Sequence, residues 1–318
     1  KLEKIKNDGL EKLENAKTAA EGGFAEAQNK YAEILQKRNE KEEAFKWYKK
    51  AAEQGLARAQ GNLAECYING VGVTADLELA KEWCKKAAKH NDAKAQCYMG
   101  EKFSLTDGEG YSWHRKAAEQ GYAKAQNWVG RYLEEGWGGI TKNQIEAVRW
   151  YRKAAENGYA VAQNNLGNCL FYGSGCDADE VEAVEWYRKA AAQGYAEAQN
   201  NLAECLYNGE GCAEDKAEAF KWYKKAAEQG NNSAKKHLER LSVEIQKINE
   251  YNELKKAAEQ GDVDAQYELA QCLKYGRGCD KDAEEALKWY RKAAEQGDVK
   301  AQYELAQCLK YGRGCDKD

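Results

Sequence analysis

Residues 195–230 read YAEAQNNLAECLYNGEGCAEDKAEAFKWYKKAAEQG. Ala198, Leu202, Cys205 and Leu206 form one apolar stripe. Ala219, Trp222, Tyr223, Ala226 and Ala227 form a second, with the spacings of three and four that mark one face of a helix. NGEGC between them supplies turn glycines. The second helix opens on a capping box, in which Asp215 accepts from backbone amides of the first turn and Glu218 reaches back. It closes at Gly230, a residue suited to the left-handed conformation that ends a helix.

The unit recurs along the chain. WYxKAAxxG returns at Trp47, Trp150, Trp186, Trp222 and Trp289, while Trp83 and Trp113 are followed by Cys84 and His114 instead of Tyr. The Gln of AxAQ stands at 28, 60, 96, 126, 163, 199, 266 and 302, at intervals of 32, 36, 30, 37, 36, 67 and 36 residues. Period 36 is the unit, and shorter copies have lost part of one loop. The 67-residue interval divides into 36 and 31, which places a degenerate repeat over 234–264. Its glycine-free part, 234–260, reads as one long helix or as a short-looped pair. The capping box returns as Asp282/Glu285, Asp179/Glu182, Asn143/Glu146 and Thr106/Glu109. The closing glycine returns as Gly55, Gly121, Gly158, Gly194, Gly261 and Gly297, with Asn91 in that place once. The expected class is therefore all-α, a solenoid of stacked helix pairs. Residues 1–23 form a half-repeat or N-terminal cap helix, 24–233 six repeats, and 234–261 a degenerate repeat or seam helix. Residues 262–318 form one full repeat plus a C-terminal half-repeat.

Composition narrows the function. The 318 residues contain no proline, 29 glycines, 49 basic and 53 acidic side chains, with neither charge in a long block. That balance argues against a nucleic-acid partner, which needs a concentrated basic face. No uncharged run approaches the length of a membrane span. The chain begins at Lys1 rather than Met, so a processed or partial product is expected, with any export signal already gone.

LGNCLFYGSGC, NLAECLYNGEGC and AVEWYRKAAAQGYAEAQ resemble the Sel1-like repeat, a relative of the tetratricopeptide repeat. The resemblance implies antiparallel helix pairs in a right-handed superhelix whose first helices line the concave face. It implies adaptor or scaffold work on a protein or peptide, with no shared catalytic residue and no cofactor. Candidate partner-binding residues follow the AQ of each first helix: Asn127 and Trp128, Asn164 and Asn165, Asn200 and Asn201, Tyr267 and Glu268, Tyr303 and Glu304. Such side chains suit either an extended peptide backbone or plain solvent.

Eleven cysteines include four C-x6-C pairs at one repeat position: Cys169/Cys176, Cys205/Cys212, Cys272/Cys279 and Cys308/Cys315. Loop-closing disulfides, buried free thiols and zinc compete for these pairs. Two thiolates without a neighbouring His do not fill a tetrahedral zinc site. The second cysteine of a pair never occurs without the first, which favours the disulfide and a location outside a reducing cytosol. Cys84 and Cys97 flank the turn at 89–92 and form a candidate fifth bridge, leaving Cys66, with Val73 as its neighbour, a free thiol. Cysteine-rich secreted relatives place their bridges differently, nearer to Cys84/Cys97. The β-lactam binding or hydrolysis suggested for some of them is thus a remote alternative here.

His90, His114 and His237 fall at unrelated repeat positions, so an enzyme is not expected. The GxGC loops lack the Lys-Ser/Thr of a phosphate cradle, and the Trp-Tyr pairs read as core. Asp8/Glu11 repeats the capping box near the start, while Asp318 would cap a second helix that is absent. Half-repeats at both ends suit head-to-tail contact between copies, with an extracellular filament as the outcome.

Overall fold

A computed structural model describes residues 13–104 and 106–311, and every element among them is helical. The expectations for Asp8, Glu11, Cys315 and Asp318 lie outside the described residues. Two compact units divide the chain, Lys1–Glu214 and Asp215–Asp318.

In the first unit, thirteen-residue helices alternate. Ala25–Lys37 pairs with Lys41–Glu53, Ala57–Asn69 with Leu77–Lys89, Ala123–Glu135 with Gln144–Glu156, and Ala160–Tyr172 with Glu180–Ala192. Each helix packs on the one before and the one after, which is the contact pattern of a solenoid. Between Ala57–Asn69 and Ala123–Glu135, one first helix is broken: Ala93–Tyr98 runs into a π-helical turn, Met99–Phe103, before Asp107–Glu119. Ala196–Asn208 is the last first helix of this unit.

Alanines such as Ala51, Ala154 and Ala190 are fully buried and let the helices approach closely. Leu63, Leu166, Tyr48, Tyr151 and Tyr187 fill the space between them. The Trp-Tyr pairs are thus core, as the pattern predicts. Three buried phenols of this unit stay hydrogen-bonded: Tyr48 donates to Gln36 Oε1 at 2.8 Å, Tyr151 to Glu134 Oε2 at 2.6 Å and Tyr187 to Asn168 Oδ1 at 2.8 Å.

The caps form, with one correction. Asn143, Asp179 and Asp215 each accept from the amide three residues on. Their glutamates turn aside: Glu146, Glu182 and Glu218 accept the indole N–H of Trp150, Trp186 and Trp222. The backbone explains why. The amides of Asn143 and Asp179 already donate to the Leu133 and Leu170 carbonyls of the preceding helix. No cap donor is left there for the glutamate to meet.

In the GxGC loops the second glycine is fixed by contact as well as by turn geometry. A Cβ on Gly211 (φ 66°) would sit 2.2 Å from the Glu180 carbonyl oxygen, and one on Gly175 would sit 2.4 Å from that of Gln144. Each loop therefore rests its bare backbone on the first turn of the previous repeat's second helix.

The AxAQ glutamines tie repeats together. Gln60 Nε2 donates to the Ala52 carbonyl, Gln126 to Ala118, Gln163 to Ala155 and Gln266 to Ala258, at 3.1–3.3 Å. These carbonyls lie in the last turn of the preceding helix, where each also accepts the amide of the closing glycine, Gly55, Gly121, Gly158 or Gly261. The glutamine oxygen then receives a donor from the cap residue of the next helix: Gln193 to Gln163 at 2.8 Å, Gln296 to Gln266 at 2.7 Å, Asn157 to Gln126 at 3.2 Å.

In the second unit, residues 234–260 resolve as one helix rather than a pair: Asn232–Glu259 runs for 28 residues, with no glycine or proline to interrupt it. It packs on Lys216–Glu228 and on Val263–Tyr275, and Ala283–Glu295 and Val299–Tyr311 follow. Its later half serves as a second helix, because Gly278 approaches the Lys247 carbonyl as Gly211 approaches that of Glu180.

Candidate protein-binding surface and an irregular cleft

Successive first helices touch, Ala25–Lys37 with Ala57–Asn69 and Ala123–Glu135 with Ala160–Tyr172. Their facing side chains form a polar rail. Asn62 Nδ2 donates to Asn29 Oδ1 at 2.9 Å, Asn165 to Asn127 at 2.9 Å and Asn201 to Asn164 at 3.0 Å. Lys94 bonds Glu65 and Asn62, Tyr98 donates to Glu65 at 2.8 Å, and Lys124 pairs with Glu101.

This geometry sorts the candidate residues. Asn127, Asn164 and Asn200 are buried, and the first two accept across repeats, so they join helices rather than face a partner. Asn165 and Asn201 stay half-exposed beside them. Trp128 stacks on His114 at 5.2 Å and under the Arg131 guanidinium at 5.0 Å. Tyr267 accepts from Gln271, Glu304 accepts from Lys274, Glu268 lies 3.9 Å from Arg277, and Tyr303 is 63% exposed.

None of the ten described cysteines is bridged in this structure. Cys176 Sγ donates to the Cys169 carbonyl at 3.6 Å, so the loop thiol folds back onto the helix end that carries its proposed partner. Burial pushes the thiols of Cys169 and Cys205 up to about 12, with Glu134 and then Cys176 adding to the shift of Cys169 and Cys212 to that of Cys205. Burial also takes Cys84 and Cys97 to about 12; their next strongest neighbours are Asp92 and Lys124 respectively. Among the described residues, no three His, Cys, Asp or Glu side chains converge as a metal-ligand set. None of the helices there is long and apolar enough to cross a membrane.

The broken first helix makes a place that the periodic reading passes over. His114 stands where Tyr48, Tyr151 and Tyr187 stand in other repeats, and it is 1% exposed. Neither ring nitrogen makes a hydrogen bond; the Gly110 carbonyl faces the ring without the geometry for one. Burial holds the imidazole down at about 4, against the opposing pull of Glu101. The ring lines a cleft of about 440 Å³ with Glu101, Ser104, Asp107, Trp128 and Tyr132. The signal in the sequence was the Trp113-His114 break in the Trp-Tyr pattern. It says little until the other repeats show what the tyrosine does.

A Sel1 repeat model matches residues 25–56, 57–92, 93–122, 123–159, 160–195, 196–231, 254–262, 263–298 and 299–318. Among solved structures, a Sel1 repeat protein from Oxalobacter formigenes is 30% identical, over 84% of this chain and 96% of that one, with a TM-score of 0.56. A protective antigen of uropathogenic Escherichia coli displaying an SLR fold is 28% identical, over 96% of this chain and 84% of that one, at a TM-score of 0.44. No curated protein matches the chain.

Proposed function

The chain belongs to the Sel1 repeat family, and from that membership we propose that it is a non-enzymatic scaffold gripping an extended protein segment along successive first helices. The observation that carries this reading is the rail. Asn165 and Asn201 are held by inter-repeat hydrogen bonds and half-exposed, so their free valences are positioned before a partner arrives. Pre-set donors and acceptors lower the ordering cost of binding. A photo-crosslinker at Val161 or Glu197, on first helices, is expected to capture the partner. One at Ile145 or Val181, exposed on second helices, is expected to stay silent. Equal capture from both faces, or none from the first helices, overturns the reading.

Head-to-tail self-association is a second proposal. It is supported by Tyr303 and Leu309, 63% and 50% exposed on Val299–Tyr311. Sedimentation velocity across a hundredfold concentration range tests it, and a constant monomer ends it. We also propose loop-closing disulfides at the C-x6-C pairs, and with them a location outside a reducing cytosol.

A further inference from the structure

We propose that the cleft beside His114 binds a guanidinium group, presented as the arginine side chain of the bound segment. This rests on the scaffold reading and names one feature of its partner.

The cleft opens beside a second helix whose tyrosine is replaced by the shorter His114 ring. In three sister repeats a phenol, Tyr48, Tyr151 or Tyr187, reaches a polar side chain of the first helix, and in two of them glycine makes room for the ring: a Cβ on Gly130 or Gly167 would lie 2.6 Å from Tyr151 or Tyr187. Gly100 occupies the same place, but the shorter His114 ring faces it. Ser104, the counterpart of Gln36 and Glu134, and Glu101, the counterpart of Asn168, line the cleft and receive no phenol from residue 114; the Tyr132 hydroxyl enters from the next repeat's first helix, 2.7 Å from where a Cβ on Gly110 would lie. An unpaired imidazole that is 1% exposed is costly to maintain without a partner.

Several polar atoms facing the cleft are acceptors, beside the hydroxyls of Thr106 and Tyr132 and the indoles of Trp128 and Trp137. Ser104 has given its hydrogen to the Met99 carbonyl at 2.9 Å. The neutral imidazole offers one acceptor nitrogen. The Glu101 carboxylate is answered by Lys124, whereas Asp107 makes no ion pair among the described residues. A ligand that brings N–H donors and a positive charge meets these acceptors, with Lys124 and Arg131 the cations already beside them.

The aromatic wall selects a flat cation. Trp128, Tyr132 and Trp137 rim the cleft. Arg131 already lies over both indoles, at 5.0 Å from Trp128 and 4.8 Å from Trp137. The rim thus accepts a guanidinium within the molecule, and planar guanidinium stacks on such rings more readily than ammonium.

Calorimetric titration of the full chain with Nα-acetyl-arginine amide, and with its neutral citrulline counterpart, tests the proposal. The arginine compound is expected to bind at least tenfold more tightly than citrulline and to shift the His114 ring resonances. His114→Tyr projects a phenol into the cleft, so it should lose binding at least tenfold, with its Tm showing that the variant folds. Asp107→Asn should weaken binding severalfold. Absence of arginine binding, equal citrulline binding, or full binding by His114→Tyr overturns the site. A nine-residue peptide with one arginine that binds more tightly than free arginine identifies a protein segment as the source; equal affinity identifies the small molecule. Crosslinks at Val161 and Glu197 that persist in His114→Tyr leave the scaffold reading standing even if the cleft fails.

Discussion

His90 stands thirty residues past Gln60, where Gln193 follows Gln163 and Gln296 follows Gln266, and the Gln60 side-chain oxygen is buried without a hydrogen-bond partner. The imidazole does not deliver the donor that the other cap residues supply. His90→Gln is therefore expected to stabilise the protein by about 1 kcal/mol, the net value of a neutral buried hydrogen bond. A higher urea midpoint at unchanged slope would confirm it. A lower midpoint would show that His90 makes a contribution of its own.

His114 ties stability to pH. Its pKa falls from 6.5 to about 4 on folding, through burial first, with Glu101 and the Gly110 carbonyl pulling upward and Lys124 downward. Above pH 6.5 both states are neutral and the group has no effect. As pH falls below 6.5, the unfolded chain takes up a proton that the folded chain refuses, so stability is lost until about pH 4. The full loss is roughly 3 kcal/mol. Urea midpoints of wild type and His114→Tyr at pH 7 and pH 5 isolate this contribution. The variant should lose less between the two pH values, and parallel losses would sink the assignment.

Gly211→Ala and Gly209→Ala separate two reasons for a glycine. Both residues have positive φ, but a Cβ on Gly209 meets nothing closer than 3.5 Å, whereas one on Gly211 enters the Glu180 carbonyl. Gly209→Ala is expected to cost about 1 kcal/mol and Gly211→Ala distinctly more. Equal midpoints would mean that the loop lifts away without penalty.

The cysteine pairs can be counted. After air or glutathione-disulfide oxidation, alkylation in denaturant followed by mass spectrometry is expected to find Cys169–Cys176, Cys205–Cys212 and Cys272–Cys279 bridged and Cys66 alkylated. Each bridge should add about 2–3 kcal/mol through loop-closure entropy. Alkylation of all eleven thiols would remove the bridges and the location argued from them.

Whatever was local was legible in the sequence. Asp215 as a cap, and Asn91 as the left-handed residue in place of glycine (φ 62°), follow from neighbours a few residues away. What depended on packing between helices was not. Glu182 bonds Trp186 because its cap amide is taken by Leu170, which no reading of one helix reveals. In Asn164-Asn165, one step along the helix turns the first amide into the interface and the second toward solvent. The pair looks equivalent until the neighbouring helix is placed. His114 is similar: alone it is one histidine among three, and only the hydroxyl contacts of Tyr48, Tyr151 and Tyr187 show what its place lacks.

The glutamine ties make the junctions interchangeable. Gln163 reaches back to Ala155 and receives Gln193, and Gln266 reaches back to Ala258 and receives Gln296, with the same atoms at nearly the same distances. A segment excised or duplicated from one such glutamine to the next rejoins like to like and strands no amide. Array length is therefore open to change by whole repeats through recombination, while a cut elsewhere in the unit leaves buried polar groups exposed to selection.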